Sequence, residues 1–492
     1  MVNNFGGLDT ITIDAKCANM LGHDYSIKHN ILPVKQENGR LWIATDTPDN
    51  VNILKDVADI TGMFVVPVFA GAKDIRLHIN RLLAPEAISS IASQFLVDAR
   101  LDKQTEIHSP EILAEISSAP AVRLIDSIIE SGIVNRASDI HIEPYDGKLR
   151  TRCRIDGHLS TYNHVSISLL PNVISRLKIM GGMDISERRR PQDGRFTMTF
   201  AGETIEFRLS VLPTAFGEKA AIRLLYGSTG RIHKANLGFF PDDLERITQL
   251  FNIPHGAVFV TGPTGSGKST TLNSFMAELN HEKANIITVE DPVENPIPGI
   301  NHVNVERAAG FSFASALRHI LRQDPDVIMI GEIRDEETAH IAMQAALTGH
   351  LVFSTLHTND AVGVIERLLD MGVEPYLLAA ALGGVVSQRL VRRICKECTA
   401  PAILTAKQAT LLDICPTTAV FAGKGCKSCA NTGYKGRIAV YEYIIVTNDM
   451  RRSMSTDPYA FAEKMRTHSS IRSNALRHVL AGNTTADEIL LL

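Results

Sequence analysis

The stretch VTGPTGSGKSTT, residues 260–271, spaces three glycines for a purpose that ordinary folding does not require. Gly262, Pro263, Thr264, Gly265, Ser266, Gly267, Lys268 and Ser269 fit G-x-x-x-x-G-K-[S/T], a loop whose backbone N–H groups ring a phosphate. Glycine permits that close approach. Before the loop, GAVFV (256–260) reads as a short buried strand. After it, STTLNSFMAELN (269–280) reads as an amphipathic helix with its N-terminus toward the phosphates. Lys268 is expected to reach the β and γ phosphates of a nucleotide and Ser269 to give its hydroxyl oxygen to Mg²⁺, with Thr270 closing the nucleotide-binding set. A Gly-rich turn that only resembles the motif is the alternative, and the strand–loop–helix context argues against it.

The bulk properties set limits around this loop. A chain of 492 residues is long enough for about three domains. With 45% hydrophobic and 21% charged residues it has the composition of an ordinary globular protein. A formal net charge of -4 supplies no global pull toward nucleic acid or anionic lipid. The longest apolar run, YLLAAALGGVV (376–386), is too short to span a bilayer, so the chain is expected in the cytoplasm, meeting a membrane only through partners.

Four of the seven cysteines form two pairs, Cys395 and Cys398 in CKEC and Cys426 and Cys429 in CKSC, with residues 399–425 between them. Two such knuckles joined by one loop match a tetrahedral four-thiolate Zn²⁺ site. Cytosolic disulfides are rare, which sets the disulfide and redox-pair readings behind zinc. With four protein ligands no position remains for water, so the zinc is expected to be structural. Cys17, Cys153 and Cys415 read as simple thiols.

Two further apolar strands end in acids. IITV (286–289) leads to Glu290, Asp291 and Glu294; DVIMI (326–330) leads to Gly331 and Glu332. In an open α/β sheet chemistry gathers at the carboxyl ends of parallel strands. One carboxylate there can order Mg²⁺ and another can position the attacking water. Solvated strand-end acids are the bland alternative for either cluster alone. His350 and His357 straddle a third apolar strand, LVFST (351–355).

The run RQDPDVIMIGEIRDEETAHIAMQAALTGHLVFSTLHTNDA (322–361), with ITVEDPVE before it, resembles the type II secretion and type IV pilus-assembly ATPase family, from about residue 110 to the C-terminus. The resemblance implies that residues 262–269 are the Walker A loop, 290–294 an acidic box, 326–332 the Walker B element and 350–357 a histidine box. It implies catalytic roles for Glu290, Glu332, His350 and His357, with Asp291 and Glu294 on the Mg²⁺ side. Glu290 is favoured as the residue that aligns water and Glu332 as the Mg²⁺-side carboxylate; the reverse assignment stays open. It also implies arginines, Arg208 and Arg223, reaching the γ-phosphate from the preceding domain; pairing with acids such as Glu206 and Glu218 is the alternative. A RecA-like core working as a homo-oligomer, a hexamer, with an inner-membrane platform protein is implied too. The four-cysteine insertion fits the assembly and secretion branch rather than retraction motors. The front of the chain resembles the module that docks to a membrane partner. The arginine- and leucine-rich repeats by which some relatives bind cyclic di-GMP are missing and the start is abbreviated, so that ligand is not expected.

The expected fold class is α/β, a RecA-like P-loop core preceded by a smaller α+β, PAS-like domain and an N-terminal α/β module. The expected divisions are a docking module (1–85), a linker (86–109), the middle domain (110–226), a hinge (227–238), the ATPase core (239–390), a zinc module (391–442) and a helical tail (443–492), whose last helix opens on a capping box, Thr485 with Glu488. Two other functions fit parts of the chain: a RecA-like DNA translocase, disfavoured by the charge and the absence of a basic stretch interleaved with aromatics, and a scaffold that binds ATP without hydrolysing it, disfavoured by Glu290 and Glu332. No nucleic acid is expected as partner. Whether the fibre is a pilus or a pseudopilus is not legible.

Overall fold

Alternation of apolar and polar residues shapes the first half of the chain into sheets with one buried face. The computed structural model describes residues 13–80, 119–226, 233–306, 310–466 and 470–490, with Leu8, Leu82, Leu83 and Leu492. The expected linker, and residues 227–232 of the expected hinge, lie outside the described residues. The chain forms two compact units, residues 1–227 and 228–492.

In the first unit, β1 (Ile31–Glu37), β2 (Arg40–Thr45) and β3 (Phe64–Phe69) make a three-stranded sheet, β1 antiparallel and β3 parallel to β2. The crossover to β3 is the helix Val51–Thr61, started by the Asn50 side chain accepting from the Ile53 amide and stopped at Gly62 in the left-handed region. Next, β4 (Ala137–Tyr145), β5 (Lys148–Ile155), β6 (His158–Ser166), β7 (Gln192–Phe200), β8 (Glu203–Thr214) and β9 (Gly217–Leu225) build an antiparallel sheet in the order β6-β5-β4-β9-β8-β7. Ile140, Ile142, Phe207, Leu209 and Ile222 face Ile125, Ile129, Val173 and Leu177 of the helices Ala119–Val134 and Leu170–Met180. Each such side chain, fully buried, contributes about 1.5–3 kcal/mol.

In the second unit, β10 (Gly256–Thr261), β11 (Ile286–Glu290), β12 (Asn301–Asn304), β13 (Val327–Ile330), β14 (Leu351–Leu356) and β15 (Leu382–Ile394) run parallel, in the order β12-β11-β13-β14-β10-β15. Parallel strands buried on both faces need unbroken apolar runs. Accordingly Ala257, Phe259, Ile328 and Ile330 face one core while Val258, Val260, Val327 and Met329 face the other. The helices Phe313–Ile320, Glu336–Leu347 and Val362–Asp370 cover the first face, and Pro241–Phe251 and Lys268–Leu279 the second. This is the expected α/β P-loop architecture.

A short hairpin, β16 (Thr399–Ala402) with β17 (Val420–Gly423), lies in the loop beyond β15, and β18 (Tyr434–Ile445) then returns antiparallel along β15. The tail is helical as expected, but its last helix, Ala486–Ile489, has no capping box. Thr485 bonds Tyr434 Oη at 2.8 Å instead, and the buried Glu488 carboxylate takes the amide and guanidinium of Arg392. A buried carboxylate gains more from a guanidinium than from one amide at a helix start.

Candidate functional site

Register fixes where the chemistry collects. Thr261 lies beside Leu356, Ile330 beside Ser354 and Val289 beside Ile330. The segments that follow β10, β11, β13 and β14 therefore emerge along one edge of the sheet.

The phosphate loop is shaped for an anion by its glycines. Gly262, Gly265 and Gly267 all have positive φ, and a Cβ on Gly262 would lie 2.3 Å from the carbonyl oxygen of Gln388. The first helical bond runs from the Thr271 amide to the Gly267 oxygen, so the amides of residues 267–270 have no helical acceptor. Lys268 donates Nζ–H to the carbonyl oxygens of Gly262 (2.9 Å) and Pro263 (3.1 Å). Burial pulls its pKa down, against the charge of Glu332. Ser269 and Thr270 are exposed at the head of the helix.

Glu332 faces this lysine from the end of β13. Arg334 holds its Oε1 at 2.6 Å, and Nε2 of His357 lies 3.7 Å from its Oε2. Burial lowers the pKa of His357, and the charge of Lys268 lowers it further. The loop carrying His357 is tied to β10 through Thr261, whose Oγ1 bonds Thr358 Oγ1 at 2.7 Å. Asp291 acts on Arg334 by charge, and Glu294 is exposed.

Glu290, at the end of β11, is mostly buried. Its Oε1 accepts from Thr288 Oγ1 at 2.7 Å and lies 3.0 Å from Nδ1 of His302. His302 escaped the sequence reading because NHVN, four residues with two asparagines, carries no recognisable strand signal. His350 is not brought to this edge. It precedes β14, next to Gly256, and bonds the Ala345 carbonyl through Nδ1. Seven steps along an extended strand, at about 3.3 Å per residue, set it roughly 23 Å from His357.

In the first unit, Arg208 and Arg223 are directly opposite each other on β8 and β9, with Arg195 opposite Arg208 on β7. Arg223 donates Nε–H to Asp139 at 3.0 Å, and Arg154 lies across from Asp139 on β5. The acid that Arg223 pairs with is thus Asp139 rather than Glu206 or Glu218; Glu218 holds Lys178 at 2.7 Å. Asp139, directly across from Arg223 on β4, offsets part of the repulsion among the three arginines. Arg195 was not singled out from sequence, because only the register aligns it.

The four paired cysteines converge, with Sγ atoms all within 4.8 Å of one another. Tetrahedral zinc with bonds of about 2.3 Å requires sulfurs about 3.8 Å apart. Cys395–Cys426, Cys398–Cys429 and Cys426–Cys429 measure 3.8, 3.9 and 3.7 Å. Desolvation pushes the Cys395 and Cys398 thiols up, Cys398 to about 12, whereas the amides of Cys426 and Gly433, with the thiols of Cys426 and Cys398, bring Cys429 down to about 7 against burial. The donor set fits zinc and leaves no ligand position for substrate.

Comparison with known proteins adds a consistent picture. A family model described as Type II/IV secretion system protein matches residues 114–491, and one described as MshEN domain matches residues 5–88. The chain is 41% identical over 475 residues to the type IV pilus assembly ATPase PilB of Myxococcus xanthus, covering 94% of this chain and 84% of that one. It is 44% identical over 385 residues to the putative type II secretion system protein E of Escherichia coli, covering 77% and 78%. The solved structure of the pilus retraction motor PilT with bound ADP matches with a TM-score of 0.50 at 27% identity, covering 74% of this chain and 95% of that one.

Proposed function

Because the chain belongs to the type II/IV secretion system protein family, we propose that it hydrolyses ATP to drive assembly of a type IV pilus or secretion pseudopilus fibre. The observation that carries this reading is the gathering of Lys268, Glu332 and His357 at one end of the parallel sheet, with Glu290 at the end of the neighbouring strand.

Lys268 and the open amides of residues 267–270 bind the phosphates, the ammonium exchanging its two carbonyl acceptors for phosphate oxygens. Mg²⁺, when bound with ATP, would supply positive charge against the phosphates. Ser269 and Glu332 would hold it, with Asp291 and Glu294 adding negative charge nearby. Arg334 shares the Glu332 carboxylate and keeps it compensated meanwhile. Glu290 orients the water whose oxygen bonds to the γ phosphorus as the bridging P–O bond breaks. ADP leaves with that electron pair, and the water's proton passes to the phosphate formed. Arg208 and Arg223 place positive charge against the γ-phosphoryl oxygens. His357 sits beside Glu332 and reports on its charge, whereas the position of His350 gives it no part in the chemistry within one chain.

The zinc is structural, bracing the loop between β15 and β18. The working form is a homo-oligomer, a hexamer, held in the cytoplasm against the inner membrane by a platform protein and by a docking partner of residues 1–85. Among the described residues no helix is long and apolar enough to cross a membrane. The divisions at residues 85, 109, 226, 238, 390 and 442 belong to the same proposal. Mg²⁺-dependent phosphate release by the purified chain, together with loss of fibre in cells carrying only Lys268→Ala, tests it. Phosphate release unaffected by Lys268→Ala, or fibre formation without turnover, contradicts it.

A further inference from the structure

Glu290 is held by a bracket built from its own strand and the neighbouring edge strand. On the edge strand β12, His302 lies directly across from Thr288 and Asn304 directly across from Glu290. The Ile297 amide donates to Nε2 of His302 at 2.9 Å, so that nitrogen carries no proton and the proton sits on Nδ1. Nδ1 is 3.0 Å from Glu290 Oε1 and 2.8 Å from Thr288 Oγ1, while the Thr288 hydroxyl donates to the same Oε1 at 2.7 Å. The single Nδ1–H is shared between Thr288 Oγ1 and Glu290 Oε1, so the histidine reaches the carboxylate oxygen directly and through the hydroxyl that donates to it. Among the described residues none bonds Oε2, the oxygen left to meet a water. The loop beyond is held by the same strand, since Asn304 Oδ1 accepts from the Val293 amide at 2.8 Å.

The geometry points to His302 as a positioning residue: it fixes the Glu290 carboxylate, through a hydrogen bond to Oε1, so that Oε2 faces the attacking water. This rests on the reading of Glu290 given above. A histidine that merely filled the edge strand would have no need of both ring nitrogens, one anchored on a backbone amide and the other aimed at the acid. The pairing also accounts for the neutral form of the donor: it orders the carboxylate without giving it a counter-charge that would weaken it as an acceptor.

The test compares His302→Leu with His302→Asn in the full chain. Both lose the bond to Ile297; only Asn keeps an N–H donor where Nδ1 stood. His302→Leu is expected to lower kcat about tenfold or more with KM for ATP and ADP affinity unchanged, since misplacement of a reacting group costs turnover rather than binding. His302→Asn is expected to restore most of that loss at the same Tm as His302→Leu. In a Glu290→Gln background, His302→Leu should cost nothing further, because the two residues act as a unit. Equal losses in the Leu and Asn variants would mean a structural role and overturn the inference. Wild-type kcat in His302→Leu beside an inactive Glu290→Gln would overturn it while leaving Glu290 in place. Wild-type turnover in Glu290→Gln would remove the reading of Glu290 itself, and this inference with it.

Discussion

Gln388 donates Nε2–H to the carbonyl oxygen of Ser266 at 2.8 Å, across 122 residues of sequence. Its Oε1 accepts from Thr271 Oγ1 at 2.9 Å, so one buried side chain on β15 clamps both the phosphate loop and the helix that follows. Gln388→Leu strands two buried polar groups, a cost of about 1–3 kcal/mol. Lower Tm and weaker binding of ATP and ADP alike are expected by calorimetry. Unchanged affinity would mean that the loop keeps its shape without the clamp.

Purified protein is expected to carry one zinc per chain. Cys395→Ser, or a strong chelator, should loosen the loop between β15 and β18 in hydrogen exchange while nucleotide binding survives, because a closed thiolate site contributes folding energy locally. Metal analysis far below one zinc per chain, in protein purified without chelator, contradicts this.

Glu143 gathers Arg150, Arg152 and Lys219 at 2.8, 2.6 and 3.1 Å. Burial pushes its pKa up, but these three cations outweigh burial and bring it from 4.5 to about 2. The folded value lies below the unfolded one, so the stabilisation is full above pH 4.5 and lost as pH falls toward 2. Glu143→Gln should melt below wild type at neutral pH, with the gap closing through that acid window. A gap independent of pH would assign the loss to packing.

Arg208→Ala and Arg223→Ala should each cut turnover by at least about tenfold with ADP affinity nearly unchanged, within the range set by arginines that act on a transferring phosphoryl group. Arg195→Ala tests whether the whole row serves the same anion. Equal weakening of ADP and ATP binding with full turnover at saturation would make these arginines ground-state contacts only.

What could be read in advance divides along physical lines. Continuous apolar runs announced β10, β11, β13 and β14, and their parallel stacking then put the loop, acids and His357 on one edge. Two C-x-x-C knuckles announced the sulfur cluster because each pair is local in sequence. Contacts set by long-range register were hidden: His302 on a four-residue polar strand, Arg195 across from Arg208, and Glu488 drawn to Arg392 rather than to its own helix start. His350 and His357 were legible as flanking one strand, and the structure puts them at its two ends.

The measurement that bears most directly on the mechanism is nucleotide affinity and single-turnover hydrolysis in Glu290→Gln, set beside Lys268→Ala. Glu290→Gln should bind ATP as wild type does and fail to hydrolyse it, while Lys268→Ala should fail to bind, because the lysine meets ground-state phosphate and the carboxylate acts on water. Wild-type hydrolysis by Glu290→Gln would contradict the account.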